Sequence, residues 1–326
     1  MPAHASAAPP APTIDDVRAA AADLDGLLRP TPLWRFPALD AELGAEVGVK
    51  LESLQPTGAF KVRGGLTLLH RMPAEERARG IVGYSTGNHA QSLAYAARAH
   101  GVDCTIVMPS PANPVKAAAV RALGAAVLER GDGMVTAAEH ARALAEGRGA
   151  RLVSAADEPD LVTGVGSLYL EVFERAPDLD ALFVPVGGGS GAAAACVVAA
   201  ALAPSCRIVA VQSSAAPAAH DSWRAGRLVD RPIGTAVEGL ATGSGFAYTQ
   251  RIMRDGLADF TLVSDADVRA AQRRLWRTGR ILVEGAGAAA LAGLWARRAE
   301  FQGARVAIVC TGANARPDEI AEVTAV

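Results

Sequence analysis

Lysine is nearly missing from this chain: Lys50, Lys61 and Lys116 are the only three among 32 Lys and Arg in 326 residues. Where arginine is the default cation, a retained lysine hints that the amine itself is needed. Cysteine is also sparse. Cys104, Cys196, Cys206 and Cys310 show neither C-x-x-C spacing nor the density of a disulfide scaffold, which points to free buried thiols in a reducing cytoplasm. The six histidines form no H-x-x-x-H and no Cys/His pairing, so no transition-metal site is expected. No basic block offers a surface to nucleic acid or an anionic membrane; the net charge is −2, with both signs spread along the chain. The most apolar run, 192–203, is bounded by glycines and Pro204 and is too short to cross a bilayer. Residues 1–12, MPAHASAAPPAP, lack the basic and apolar regions of a signal peptide and read as a disordered tail.

What is present is a globular composition, 50% hydrophobic and 20% charged with 33 glycines, in a chain long enough for two domains. Apolar β-rich runs alternate with alanine-rich amphipathic stretches. Strands are expected over 47–51, 80–84, 104–108, 126–129, 151–154, 181–186, 207–212, 261–263 and 305–310. Helices are expected over 60–71, 89–99, 114–123, 134–145, 161–175, 192–203, 265–278 and 284–297, with Thr13 and Asp16 opening an earlier one. Continuous apolar strands each followed by a helix specify an α/β fold with parallel sheets covered on both faces. With no Pro/Ser linker in the chain, the division is read as an insertion: residues 80–155 form a small domain, and 13–79 with 156–326 form a large one. A ligand is expected in the cleft between them, at the carboxyl ends of strands.

Three glycine-bearing turns each follow a strand and open a helix. The first is Gln55-Pro56-Thr57-Gly58-Ala59-Phe60-Lys61-Val62-Arg63-Gly64-Gly65. A lysine at a helix start meets the wrong end of the dipole, which lowers its pKa and favours a neutral, nucleophilic amine; by itself the turn is better read as carrying a surface lysine. Lys50, in a strand, and Lys116, among alanines, lack this setting. The second is Ser85-Thr86-Gly87-Asn88-His89, whose amides and hydroxyls suit a carboxylate, or serve as an ordinary N-cap. The third is Gly187-Gly188-Gly189-Ser190-Gly191, a backbone able to wrap a phosphate. It lacks the Lys-Ser/Thr of a P-loop and the acidic residue that holds a dinucleotide ribose, so a phosphomonoester fits better than ATP or NAD.

Together the turns resemble the fold type II pyridoxal-phosphate enzymes, especially threonine/serine dehydratases and serine racemase, whose motifs are S-F-K-x-R-G, S-x-G-N-H and G-G-G-G. Thr235-Ala236-Val237-Glu238-Gly239-Leu240 resembles the family's T-x-A-D-G, Glu284-Gly285-Ala286-Gly287-Ala288 its E-P-x-G-A, and Thr311-Gly312-Ala313-Asn314 its S-G-G-N. Six motifs in order span about 31–318. The resemblance implies two α/β domains with the active site between them. In it, Lys61 is the lysine that carries pyridoxal 5′-phosphate and moves the substrate proton, and Phe60 packs by the ring. Asn88 faces the cofactor's 3′-oxygen, and Gly187, Gly188, Gly189, Ser190 and Gly191 hold the phosphate. Gly239 lies along the ring, and Thr311 meets the pyridine nitrogen. Ser85, Thr86, Gly87, Asn88 and His89 receive the substrate carboxylate, with the His89 ring supporting the turn.

The implied reaction is loss of water and ammonia from a small β-hydroxy amino acid, foremost L-threonine or L-serine, by a homodimeric lyase. A neutral hydroxyl at the pyridine nitrogen disfavours full carbanion delocalisation and so favours β-elimination. Ala59 and Ser190 depart from the family's serine and glycine. Thr86 stands where serine racemase has its second acid/base serine, a second catalytic position that suits racemisation poorly. The family's divalent-cation site uses a Glu and an Asp where this chain has Gln212 and Ala218, so no metal is expected there. Other reactions on the same scaffold, namely racemisation, hydroxyaspartate dehydration and threonine synthesis, remain open. So does a non-catalytic ligand-binding α/β protein, against which the intact Lys61 argues.

Overall fold

The computed structural model describes residues 9–325. Thr13 and Asp16 form the expected reciprocal cap of α1 (Ile14–Leu24): the Thr13 hydroxyl accepts the Asp16 amide at 3.2 Å and the Asp16 carboxylate accepts the Thr13 amide at 2.8 Å. There follow β1 (Leu33–Arg35), α2 (Pro37–Leu43), β2 (Glu46–Leu51), α3 (Lys61–Arg71) and α4 (Ala74–Arg79). A regular alternation comes next: β3 (Ile81–Tyr84), α5 (Asn88–His100), β4 (Cys104–Met108), α6 (Pro114–Ala122), β5 (Ala126–Glu129), α7 (Met134–Arg148) and β6 (Arg151–Val153). The remainder is α8 (Pro159–Arg175), β7 (Ala181–Pro185), α9 (Ser190–Leu202), β8 (Arg207–Ser213), α10 (Ala218–Ala225), α11 (Ala247–Gly256), β9 (Asp259–Val263), α12 (Asp265–Gly279), α13 (Gly285–Ala296), β10 (Arg305–Cys310) and α14 (Pro317–Thr324).

The strands form two sheets. The smaller, in the order β5-β4-β3-β6, is parallel throughout. The larger, β1-β2-β10-β7-β8-β9, is parallel except for β1, which pairs antiparallel with β2 through Leu33 opposite Lys50. That edge strand was not expected. Three residues are too few to show a period, and prolines are tolerated beside an edge because no ladder bond is lost there. Helices α2, α4, α10, α11 and α14 are likewise additions to the expected set. Apolar residues of α8, α9 and α11 cover one face of the larger sheet, and those of α2, α12 and α13 cover the other. Both faces are therefore buried, as the unbroken apolar strands require. Alanine and glycine let the helices sit close: a methyl added to Gly293 of α13 would meet Val211 Cγ2 of β8 at 2.4 Å.

The core of the smaller sheet extends beyond residues 80–155. It takes in Val62, Leu66, Leu68 and Leu69 of α3 and Leu161 of α8, alongside Ile81, Leu93 and Ile106. The Gly64-Gly65 pair permits this: an added Cβ at Gly64 would fall 2.7 Å from the Leu161 carbonyl oxygen, and one at Gly65 2.3 Å from Ser92 Oγ. Helix α3 is thus wedged between α5 and α8, and its first residue is Lys61. Most of the tail expected over 1–12 (residues 1–8) lies outside the described residues. Pro9 and Pro10 are held on α11, the Pro10 carbonyl accepting the Tyr248 hydroxyl at 3.0 Å and that of Pro9 accepting from Arg251.

Candidate active site

Four of the six sequence motifs follow the carboxyl end of a parallel strand, while 235–240 lies between α10 and α11 and 284–288 follows α12. Residues 85–87 follow β3, 186–189 follow β7, Thr311 follows β10, and Lys61 comes after β2 by way of a short 3₁₀ turn. The α/β geometry brings these ends together. One cavity is lined by Phe60, Lys61, Ser85, Thr86, Gly87, Asn88, His89, Gly187, Gly188, Gly189, Ser190, Gly191, Gly239 and Thr311, so all the residues singled out in the sequence meet there. None lies elsewhere.

Lys61 occupies the first position of α3, with its Nζ 2.8 Å from Ser190 Oγ and 3.3 Å from the Ala155 carbonyl. It has no acidic partner among the described residues. Burial lowers its pKa to about 8, because the charged form loses its hydration and gains no counter-charge. The expected depression is there, with burial as its cause. Phe60 packs beside it, the ring centroid 5.3 Å from Nζ, and its amide donates to the Thr311 carbonyl at 3.0 Å. That bond ties the lysine turn to the end of β10. Arg63, two residues on, donates to Glu52 at 2.8 Å through both Nε and Nη2 and to Glu171 at 2.7 Å. Lys50 completes this buried group by pairing with Glu171.

Asn88 opens α5 and is fixed from both sides. Its Oδ1 accepts Asn314 Nδ2 at 2.7 Å, and its Nδ2 donates to Glu284 Oε1 at 2.5 Å. An amide nitrogen carries two hydrogens, so one remains to face a ligand. Asn314 also donates to the Thr57 carbonyl at 2.9 Å, linking the asparagine loop to the lysine turn. Burial raises the pKa of Glu284 to about 7; Glu319 adds to this, while Asn88 and Lys116 pull against it. Ser85 Oγ accepts the Gly87 amide at 3.2 Å, shaping the loop that Thr86 tops. The His89 ring is buried in the first turn of α5 with the Val153 backbone beside it, and neither ring nitrogen makes a well-formed hydrogen bond. Burial, aided by the Lys61 charge, holds its pKa down at about 3, so the ring is neutral.

The glycine turn requires its glycines. Gly189 has φ +91°, where a side chain would be strained and would also strike Met253 Cε at 2.8 Å. Gly187 approaches Gly239 so closely that a Cβ would sit 2.4 Å from the Gly239 carbonyl oxygen. The Gly188 carbonyl is tied back by Thr249 Oγ1 at 2.7 Å and that of Gly187 by Thr242 Oγ1 at 3.2 Å. Helix α9 begins at Ser190, two residues before the expected start, so the first-turn amides of Ser190 and Gly191 add to the donors at this end.

Three residues of the cavity carry roles that sequence reasoning did not assign. In the sequence Glu284 and Glu238 stand only as parts of motifs and Lys116 as a lysine among helix alanines, yet all three line the cavity. Lys116 enters because Asn113 caps α6, accepting the Val115 and Lys116 amides at 3.0 and 3.3 Å, and turns that helix end toward the cleft. Only its rarity marked it in advance. Gln212, where the family that the motifs resemble has a glutamate, is buried, donating to Thr242 Oγ1 at 3.3 Å and accepting the His220 amide at 3.0 Å.

The site suits pyridoxal phosphate. It holds a buried amine with a lowered pKa, an imidazole whose two nitrogens make no well-formed hydrogen bond, and a positive-φ glycine turn ending in a helix N-terminus, all lining one cavity. The chain is 37% identical over 301 residues to an L-threo-3-hydroxyaspartate ammonia-lyase of Pseudomonas, covering 92% of this chain and 94% of that protein. It is 36% identical to an L-threonine ammonia-lyase of Geobacter sulfurreducens over 88% of this chain and 72% of that one. Its fold matches that of maize serine racemase with a TM-score of 0.90 at 27% identity, covering 95% of both chains. The α/β, fold type II architecture expected from the motifs is therefore the one observed. The family model for pyridoxal-phosphate dependent enzymes matches residues 24–312, from before the lysine turn to just past Thr311, and the chain belongs to that family.

Proposed function

We propose that the protein is an ammonia-lyase that eliminates water from a small β-hydroxy amino acid and releases an enamine, which takes up water again to give a 2-oxo acid and ammonia. L-threonine, L-serine and L-threo-3-hydroxyaspartate are its candidate substrates. The observation that carries this reading is the pairing of a single buried, uncompensated amine, Lys61, with a neutral hydroxyl residue, Thr311, in one cavity. Relatives named for ammonia-lyase activity on hydroxyaspartate and threonine support it.

Bound pyridoxal phosphate supplies the electron sink that makes the substrate Cα–H acidic. The residues around it do the rest. Lys61 Nζ, with its lowered pKa, accepts and returns protons near neutral pH, and Ser190 Oγ holds it in place. The loop from Ser85 to His89 receives the substrate carboxylate through backbone amides and the Thr86 hydroxyl; the His89 ring, being neutral, adds no charge. Asn88 is oriented by Asn314 and Glu284. Gly187 to Gly191 direct backbone donors at a phosphate. Thr311 offers a hydroxyl in place of a carboxylate, which keeps the sink weak and favours prompt loss of the β-substituent. Thr86 in place of serine argues against racemisation. We further infer a homodimer, the commonest symmetric assembly. No helix among the described residues is long and apolar enough to cross a membrane.

The test is a panel of β-hydroxy amino acids incubated with holoenzyme, with 2-oxo acid and ammonia quantified together. Equimolar release, abolished in Lys61→Ala, is the expected result. Formation of D-serine without 2-oxo acid, or turnover of phosphohomoserine alone, would replace this reading with another reaction on the same scaffold.

A further inference from the structure

Lys61, His89, Lys116, Glu238 and Glu284 are the titratable side chains of the cavity. Their charges are unequal in what they can offer a substrate. Lys61 is committed to the cofactor and the proton, and burial keeps His89 neutral. Lys116, paired with Glu238, is then the one cation lining the cavity left to meet a second negative charge. Its side chain is only 16% exposed, and it also lines the smaller cavity that continues past Glu238 and Glu284. A largely desolvated ammonium needs an anion, and here it takes Glu238.

That partner is replaceable. The Glu238 side chain is 44% exposed and has a second cation, with Arg316 Nη1 3.5 Å from its Oε1. Turning toward Arg316 and solvent costs Glu238 little, since exposed ion pairs contribute little. Lys116 has no comparable retreat into water. A carboxylate brought into the cleft can therefore take the place of the Glu238 carboxylate on Lys116, leaving Glu238 with Arg316. Glu284 does not oppose this strongly, because burial and Glu319 keep a large share of it protonated near neutral pH.

Building on the lyase reading above, we propose that Lys116 is the specificity-determining residue for the substrate side chain and selects a β-hydroxy amino acid bearing a second carboxylate, with Glu238 as the counter-ion it releases. The enzyme would then prefer 3-hydroxyaspartate to threonine or serine.

The experiment compares kcat/KM for L-threo-3-hydroxyaspartate with that for L-threonine in wild type, Lys116→Met and Glu238→Gln holoenzymes. Calorimetry of succinate and butyrate binding to the same proteins accompanies it. In Lys116→Met the ratio should fall roughly 10- to 100-fold, the usual effect of losing one charge-assisted hydrogen bond. Succinate should bind correspondingly more weakly, with butyrate little changed. Glu238→Gln, which removes the competing carboxylate, should raise the ratio and tighten succinate. Proportional losses on both amino acids in Lys116→Met, with succinate unaffected, would show that Lys116 is only a latch across the cleft and overturn the proposal. Wild-type release of 2-oxo acid from threonine or serine but not from hydroxyaspartate would overturn it while leaving the lyase reading intact. Release from none of the three would overturn both.

Discussion

At the scale of single residues, the chemistry depends on charges held where water cannot reach them. A lysine with a pKa of about 8 is neutral in roughly one molecule in ten at pH 7, against a few in ten thousand for an ordinary lysine. Capture of the cofactor aldehyde by apoprotein should therefore speed up about tenfold per pH unit and level off above pH 8. Stopped-flow absorbance during reconstitution reads this directly, and a plateau only above pH 10 would contradict the buried amine. Glu284 shows the opposite sign. Its folded pKa is raised to about 7 from 4.5, so between these values the folded state holds a proton that the unfolded state has lost. The stability this group contributes is complete below about pH 4.5 and is lost as pH rises through 7, by about 3 kcal/mol in all. Glu284→Gln should flatten that part of the urea-denaturation profile, leaving the variant relatively more stable at pH 8 than at pH 5 when each is compared with wild type.

Among the elements, α3 decides where Lys61 sits, and two devices hold it. The Gly64-Gly65 pair lets α5 and α8 close on it, while Arg63 anchors it to Glu52 and Glu171. Burial alone would raise the Glu52 pKa, but Arg63 outweighs it, with help from Lys50 and Thr31, and the carboxyl stays below its ordinary value. Arg63→Met would leave two carboxylates sharing Lys50. The cost should be about 3–5 kcal/mol, as for other buried pairs that lose one partner. It would appear as a lower urea midpoint at unchanged m-value. Lys61→Ala, which removes no ion pair, should leave the midpoint nearly unchanged.

For the whole molecule, the relevant fact is that both sheets send loops into one cavity, and that β8 of the larger sheet carries a neutral Gln212 at its carboxyl end. Gln212 satisfies its amide within the protein, through Thr242 and the His220 backbone. No cluster of His, Cys, Asp or Glu among the described residues could hold a metal. Chelator should therefore leave both the melting temperature and 2-oxo acid release unchanged, and added Mg²⁺ should not raise either. A drop of several degrees in EDTA, reversed by Mg²⁺, would show that a cation contributes to this fold.

The alternation of strand and helix, the Thr13 cap, the glycine turns and the place of Lys61 were all legible in the residues themselves. These features rest on local rules: apolar period, capping side chains and backbone freedom act over a few positions. Edge strand β1 and helices α2, α4, α10, α11 and α14 were not legible, because they are short and take their stability from neighbours distant in sequence. The same holds for Lys116, Glu238 and Glu284. A side chain's charge state depends on what surrounds it, and their surroundings come from segments more than a hundred residues away, as with Lys116 and Glu238 or Asn88 and Glu284. The sequence by itself determined which cofactor the chain can carry; only the packing of two sheets around one cleft decided which charges face the substrate, because burial and pairing exist only once the chain has folded.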